Sequence, residues 1–344
     1  MASLKRIWEK EHIQLTDLQN ACITTTAVIA GLLYAMHTSM GTMTGFFVVS
    51  IQNIAGMNTK ESFLFRIKSC FMLYLILCAS AMLVVLTNHS FPLSVAGLVL
   101  LCLSLACWHQ LFPGYWASIN IPAVVIFFMA LSMPGSSPVI PVFAGASIGL
   151  LFQMLTWIYL LFSDKNRISD DLNNIEILEN ENMKPKRERF YLHRESLIYG
   201  AQMLVLLSIA LLVMRLSGYP HAYWMAFTMV IVLKITHKDT RKFSVQRVLG
   251  TVIGCVLGSL LLLLHPQGFL YAMAIALNIF LFTYLIARHY VIGVVFITIF
   301  VLLLIGHQTT DPLRISMERI GFTLAGGLLS MISSFLISKI LIKD

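Results

Sequence analysis

The chain has 344 residues, of which 58% are hydrophobic and only 12% are charged. A soluble globular domain has about 25% charged residues, so this composition excludes a soluble fold and predicts an all-α, polytopic membrane protein. In a soluble protein the formal net charge of +8 would indicate a nucleic-acid partner. In a membrane protein the charge is instead distributed by side of the membrane, and we expect no nucleic-acid partner.

Cysteine usage and motif content exclude several further classes. The six cysteines lie within apolar runs and none forms a Cys-x-x-Cys pair, so we interpret them as small packing residues and expect no metal site. The sequence contains no Gly-x-x-x-x-Gly-Lys-Ser/Thr phosphate loop, no His-Glu-x-x-His and no Gly-x-Ser-x-Gly elbow. We therefore expect no cofactor and no enzymatic activity.

Hydropathy divides the chain into four regions. Residues 1–19 are polar and are predicted to be a cytoplasmic segment, either an amphipathic surface helix or a frayed terminus. Residues 20–163 and 196–344 are predicted to be two transmembrane repeats, and residues 164–195, which mix both signs of charge, a cytoplasmic linker. Because a spanning helix needs about 20 apolar residues, the predicted spans are roughly 20–37, 43–56, 68–87, 92–111, 115–133, 139–162, 197–216, 222–236, 246–264, 267–286, 290–307 and 316–338.

The distribution of basic residues supports these twelve crossings. With a cytoplasmic N-terminus, all but three of the 24 Lys and Arg residues fall on the cytoplasmic side, and only Arg215, Arg314 and Arg319 fall outside. Cytoplasmic loops carry an excess of Lys and Arg. The sequence therefore predicts a multi-pass protein of the cell inner (plasma) membrane with both termini in the cytoplasm. The second span of each half is short, so we expect it to be tilted, broken or extended by a polar turn.

The two halves resemble each other when they are aligned without a gap at a shift of 181 positions. The identical positions include Phe227, Val230, Ile235, Thr240 and Arg247, which fall on Phe46, Val49, Ile54, Thr59 and Arg66. Many membrane transport proteins are built from repeated halves, with the pathway at the repeat interface. The sequence thus predicts two six-helix repeats.

None of the sixteen acidic residues is predicted to lie in the middle of the membrane. Glu318 comes nearest, close to the start of the last span. Since a buried carboxylate is the usual cation site or proton relay of a membrane pump, this argues against cation transport and leaves proton coupling without an obvious carrier. Histidine titrates near neutral pH and is the alternative carrier. The histidines near predicted helix ends are His37, His109, His221, His237, His289 and His307.

Two groups of basic residues occupy matching positions in the two halves. Rings of Arg and Lys select anions, and Arg can hold a carboxylate through two parallel hydrogen bonds. We therefore predict that both groups bind substrate, with Arg66 and Arg247 at the centre; plain positive-inside topology is the alternative explanation. The groups are Lys234, Arg241 and Arg247 in the second half, and Lys60, Arg66 and Lys68 in the first.

Two further patterns lie beside the second basic group. Tyr223 and Trp224, at a predicted outer helix end, form either an interfacial aromatic belt or a stacking surface for a planar ligand. On the second interpretation they belong to the predicted substrate site. Gly250, Gly254 and Gly258 recur every four residues, which predicts close helix packing, with a gating hinge as the alternative.

The motifs of this region resemble those of the fusaric acid resistance family. They are Tyr223-Trp224-x-x-x-Thr228, Asp239-Thr240-Arg241 and Gln246-Arg247-Val-Leu-Gly250-Thr-Val-Ile-Gly254. That family includes bacterial aromatic-acid exporters and is similar to the plant aluminium-activated malate channels. The resemblance implies a membrane protein that moves organic anions out of the cytoplasm. It also implies that Arg241 and Arg247 face the anion at the inner mouth.

Three hypotheses about function follow. The first is an inner-membrane transporter that exports small organic anions, such as aromatic acids, other carboxylates or a carboxylate siderophore. The second is a passive organic-anion channel of the malate-channel type. The third is a non-transporting membrane scaffold of an envelope complex. The expected partners are the organic anion, the lipid bilayer, and either a second copy of the chain in a homodimer or an envelope protein.

Overall fold

The computed structural model describes residues 2–57, 63–111, 116–133, 137–163, 194–264, 267–306 and 311–341. Nearly all of the predicted linker and Lys60 lie outside the described residues. The side chains of residues 2–16 and of Arg66 are also outside them, although their backbone is helical. Within the described part, the chain forms helices and turns and no strand, which confirms the all-α part of the predicted fold class.

The described part of the first half contains six α-helices. A short 3-10 turn, Gly41–Met43, separates the first two. The predicted polar N-terminal segment and the first span are one continuous helix, because α1 begins at Ala2 and ends at His37. In chain order the helices are α1 (Ala2–His37), α2 (Thr44–Ala55), α3 (Phe63–Thr87), α4 (Phe91–Leu111), α5 (Trp116–Leu131) and α6 (Val139–Ser163).

The second half contains six more. Thr236 caps the N-terminus of the third of them by accepting a hydrogen bond from the Asp239 amide. Pro312 opens the last one, at a position where its missing N–H costs nothing. The helices are α7 (Arg194–Ser217), α8 (Tyr223–Val232), α9 (His237–Leu263), α10 (Gly268–Leu285), α11 (Tyr290–Gly306) and α12 (Pro312–Leu341).

Seven helices of the described part are long and apolar enough to cross a membrane: α1, α3, α6, α7, α9, α10 and α12. The other five, α2, α4, α5, α8 and α11, offer shorter apolar stretches. The predicted shortness of the second span in each half is confirmed, because α2 has 12 residues and α8 has 10. Large side chains such as Leu86, Ile140 and Leu216 point outwards, as lipid contact requires.

Glycine brings helices of the second half into close contact, as the four-residue spacing predicts. A Cβ added at Gly250 or Gly254 would lie 2.7 Å from Val294 or Thr298 of α11, and one at Gly258 would lie 2.8 Å from Leu302. Such distances leave no room for a side chain, so the backbone of α9 packs directly against side chains of α11 at these three glycines.

Each short helix packs against the last helix of its own half. Gly145 of α6 lies against the carbonyl of Phe47 in α2. In the second half, a Cβ at Gly326 of α12 would lie 2.7 Å from the carbonyl of Met225 in α8. The halves meet where α1 packs against α10, α4 against α7, and α5 against α8. Helix α8 therefore lies at the boundary between the halves.

Candidate site: a buried arginine cluster

The corner between α8 and α9 is shaped by the Asp239-Thr240 part of the family-like motif. The Thr236 hydroxyl donates to Asp239 Oδ2 at 2.6 Å and accepts from its amide at 3.1 Å. The Thr240 hydroxyl accepts from the Lys234 amide at 3.0 Å and lies 3.1 Å from the Lys234 carbonyl oxygen, to which it donates. These bonds satisfy the extended backbone that joins the two helices. Asp239 and Thr240 thus build the corner.

The predicted basic residues do not share one environment. Arg241 and Lys68 are exposed on their helices, α9 and α3. Lys234 is partly buried, with its ammonium 4.9 Å above the Phe243 ring. Burial lowers the pKa of Lys234, and the nearby Asp239 carboxylate counteracts part of that effect.

Arg247 is buried, with 7% of its surface exposed, although it lies on the same helix as Arg241. Its guanidinium lies beside the Tyr290 hydroxyl at the start of α11. Its Nε has no hydrogen-bond partner among the described residues. Arg241 and Arg247 thus lie less than two turns apart on α9, yet Arg241 is exposed and Arg247 is held between helices.

Tyr223 and Trp224 open α8 and are both buried, with 3% and 1% exposed. The Trp224 ring contacts a side chain that sequence analysis did not select. The guanidinium carbon of Arg319, in α12, lies 4.7 Å from the ring centroid, in cation–π geometry. Arg319 is 3% exposed, and its Nε has no hydrogen-bond partner within the described structure.

Arg319 interacts electrostatically with the other members of this region. The interacting groups are Arg247 and Cys255 on α9 and Tyr223 on α8. We call Arg247, Arg319, Tyr223 and Trp224 the arginine cluster. It lies among α8, α9, α11 and α12, and it contains three of the eight predicted site residues.

Glu318 lies next to Arg319 in sequence but has partners of its own. Its Oε2 lies 2.8 Å from Nδ1 of His221, and its Oε1 accepts from Nε of Arg314 at 3.2 Å. The His221 imidazole stacks on Trp224, with a centroid distance of 4.6 Å and an interplanar angle of 12°. The carboxylate that sequence analysis placed at a helix start is therefore buried, with 7% of its side chain exposed.

The charge of the arginine cluster is not balanced by any described carboxylate. Four acidic side chains belong to the described part of the chain, and each has other partners. Asp17 pairs with Arg288, Asp239 accepts a hydrogen bond from the Thr236 hydroxyl, and Glu318 pairs with Arg314 and His221. Asp311 accepts from the backbone amide of Arg314. Burying a charge without a partner is costly, so an anion bound between the two guanidinium groups would lower that cost.

One signal in the sequence could have located Arg319. Pro312 is typical of the first position of a helix. Starting α12 there, instead of at residue 316, would have placed Arg319 two turns inside the span. The side chains of Arg66 and Lys60 lie outside the described residues. The predicted match between the two basic groups therefore stays a prediction.

Comparison with known proteins gives one match. The family model described as "Fusaric acid resistance protein-like" matches residues 209–333. The matched region runs from α7 to α12 and contains the whole arginine cluster. No curated protein and no solved structure matches the chain. The chain is thus a multi-pass membrane protein whose residues 209–333 are similar to the fusaric acid resistance protein-like family.

Proposed function

We propose that this protein transports small organic anions across the inner membrane, and that Arg247 and Arg319 hold the anion. One observation carries this proposal: two guanidinium groups are buried, at 7% and 3% exposure, without a carboxylate partner among the described residues. Inside a membrane protein, such ionisable side chains mark a substrate path by default. Carboxylates fit best, because a guanidinium can bind both carboxylate oxygens at once.

The surroundings of the arginines favour a planar, partly apolar anion. Trp224 holds the Arg319 guanidinium against its ring, which fixes its direction. Tyr223 and Tyr290 bring further aromatic surface to the same cluster. Aromatic acids combine a carboxylate with a ring of this kind, and other carboxylates, including a carboxylate siderophore, would use the same charge.

Similar helix packing in the two predicted halves supports a transport role. Gly145 and Gly326 are related by the same shift of 181 positions, and each lies against the short helix of its own half. In each half the third helix packs against the fifth and the sixth. The first helix of each half also packs against the fourth helix of the other half. Repeats arranged in this way commonly enclose a transport path.

Export from the cytoplasm is the proposed direction. The cytoplasmic side would be the one at which α9 begins, with its exposed Arg241 and Lys242. Exposed basic residues raise the local concentration of anions at such a mouth. A membrane potential that is negative inside drives anions outwards by about 2.3 kcal/mol per charge for each 100 mV.

The test is anion flux from proteoliposomes that contain the purified full chain and labelled benzoate. We expect Arg319→Gln and Arg247→Gln each to lower the initial rate at limiting benzoate by roughly 10- to 100-fold, since hydrogen bonds to charged groups contribute about 1.5–3 kcal/mol. Lys242→Gln, an exposed residue of α9, is the matched control and should lower the rate by at most about twofold, and only at low salt.

Unchanged flux in both folded arginine variants would disprove the proposed site. A flux that follows the benzoate gradient and membrane potential alone would identify a passive channel, whereas accumulation against both would identify a coupled transporter. Absence of flux, together with a co-purifying envelope protein, would favour a scaffold.

A further inference from the structure

We propose that His221 and Glu318 form a proton-binding site that is linked to the arginine cluster, so that a proton on His221 strengthens anion binding at Arg319. The inference rests on the proposed function, because it requires an anion at Arg319. It assigns a role to the one buried carboxylate and histidine pair that lies against the cluster.

The geometry of the pair suits proton binding. His221 Nδ1 and Glu318 Oε2 are 2.8 Å apart, and the other carboxylate oxygen is held by Arg314. The His221 side chain is 16% exposed, whereas that of Glu318 is 7% exposed. The imidazole can therefore receive a proton from outside the bundle. Glu318 remains fixed behind it and stabilises the imidazolium.

A single aromatic ring separates this pair from the anion site. The His221 ring lies 4.6 Å from the Trp224 ring, and the Arg319 guanidinium lies 4.7 Å from it. His221 and Arg319 thus contact the same indole. A charge that appears on His221 acts on an anion bound at Arg319 through buried, weakly screened surroundings.

His221 contributes the imidazole in these surroundings, and imidazole is a side-chain type that ordinarily changes charge between about pH 5 and pH 8. Carboxyl groups ordinarily titrate below that range, and thiols, phenols and guanidinium groups above it. The other charged or titratable side chains described around the pair and the cluster are Tyr219 in the preceding loop, Tyr223 on α8, Arg215 on α7, Arg247 and Cys255 on α9, and Arg314, Glu318 and Arg319 on α12.

The sign of the linkage follows from these charges. Protonation of His221 adds one positive charge beside an anion site, so anion affinity should rise as the pH falls. At a separation of about 8 Å, the effect is roughly twofold in a water-like dielectric and roughly thirtyfold at an effective dielectric constant of about 20. By reciprocity, anion binding must promote proton uptake. Proton and anion would then move together, whereas exchange would require that anion binding release a proton.

The experiment measures benzoate affinity of the full chain in nanodiscs at about pH 5.5 and about pH 8, within which imidazole changes charge. We expect the wild type to bind benzoate more tightly at the lower pH, by a factor between roughly two and roughly thirty. His221→Gln should remove this dependence, because an amide does not titrate in this range. His289→Gln, an exposed histidine before α11, is the matched control and should keep it.

A second measurement uses the wild type alone. Calorimetry of benzoate binding in two buffers of different ionisation enthalpy counts the protons exchanged, and we expect a net uptake of up to one. Affinity that does not depend on pH, proton release on binding, or an unchanged dependence in His221→Gln would overturn the linkage. If benzoate binds but Arg319→Gln leaves its affinity unaltered, the proposed site itself fails and the linkage fails with it.

Discussion

The two short helices, α2 and α8, have the same place in their halves but different chemistry around them. The C-terminal end of α2 is satisfied by neutral side chains. Gln153 Nε2 donates to the Ala55 carbonyl at 2.7 Å, Thr24 donates to the same oxygen at 3.1 Å, and Asn20 donates to the Gly56 carbonyl at 3.2 Å. The corresponding end of α8 is satisfied by the Thr240 hydroxyl alone among the contacts described there.

The contrast is stronger at the N-terminal ends of the same helices. Helix α8 begins with Trp224 against Arg319 and His221. At the shift of 181 positions, Trp224 corresponds to Met43, and Glu318 and Arg319 correspond to Ser137 and Pro138. The charged contacts of α8 therefore have no counterpart at these positions of the first half.

The difference shows that close packing and buried charge are separate features of the two short helices. A short helix must pack closely on the last helix of its half, and glycine meets that need twice, at Gly145 and Gly326. Buried guanidinium groups are described only in the second half, at the proposed anion site. Substitutions at the glycine contacts should lower stability to a similar extent in both halves. Substitutions in the arginine cluster should instead affect anion binding alone.

The largest expected effect is on stability, from the shared glycine contacts. Gly145→Val and Gly326→Val each place a branched side chain against a backbone carbonyl of the short helix. Since overpacking costs about 1–3 kcal/mol or more, we expect both variants to lower the thermal unfolding midpoint in detergent markedly. Gly321→Ala, on α12 with nothing within 4 Å of its added Cβ, should leave the midpoint unchanged or raise it. A similar midpoint in all three would contradict the role of the contact.

Gln153→Leu tests the neutral end of α2. The variant leaves buried carbonyls of Ile54 and Ala55 with fewer donors, and an unsatisfied buried group costs about 1–3 kcal/mol. We expect lower stability to denaturant and an unchanged benzoate affinity in the fraction that remains folded. Thr156→Val, at a half-buried position one turn further along α6, serves as the control. A large loss of affinity would place the anion site in the first half.

Trp224→Leu tests the aromatic support of Arg319. The substitution removes a cation–π contact worth about 0.5–2 kcal/mol, so benzoate affinity should fall by roughly 2- to 30-fold. Met43→Leu makes a conservative change at the matching position of the first half and should leave affinity as it is. Equal effects of the two substitutions would mean that Trp224 acts only through packing.

The smallest expected effect belongs to the exposed basic residues. Arg241→Gln and Lys68→Gln remove charges that lie on the surface, where salt screens them over about 10 Å at 0.1 M. We expect at most about a twofold lower transport rate at low salt, vanishing at high salt. A loss that persists at high salt would place Arg241 inside the binding site, as the family resemblance implies.

Much of the fold could be predicted because the signals for it are local. Apolar runs located twelve helices in the right order, and the spacing of Gly250, Gly254 and Gly258 predicted their close packing against α11. Gly321, on α12, has no described atom within 4 Å of an added Cβ. A spacing of small residues indicates a face, and the position of the neighbouring helix decides whether that face is used.

The site was predicted only in part. Tyr223, Trp224 and Arg247 belong to the arginine cluster, whereas Arg241 and Lys68 remain on the surface. Sequence analysis placed Arg319 outside the membrane and Glu318 at a helix end, because the predicted span began four residues too late. Charged residues near a helix start have the same appearance in a sequence whether water or protein surrounds them.

The sequence by itself determined that this is a helical membrane protein, where its helices lie, and which family its second half resembles. Hydropathy, helix-start residues and motif spacing are properties of neighbouring positions, so they can be read along the chain. Only the tertiary structure decided that Arg319 meets Trp224 and that Glu318 meets His221. Those pairs join residues about a hundred positions apart, because the packing of α12 against α8 sets which side chains share one buried space.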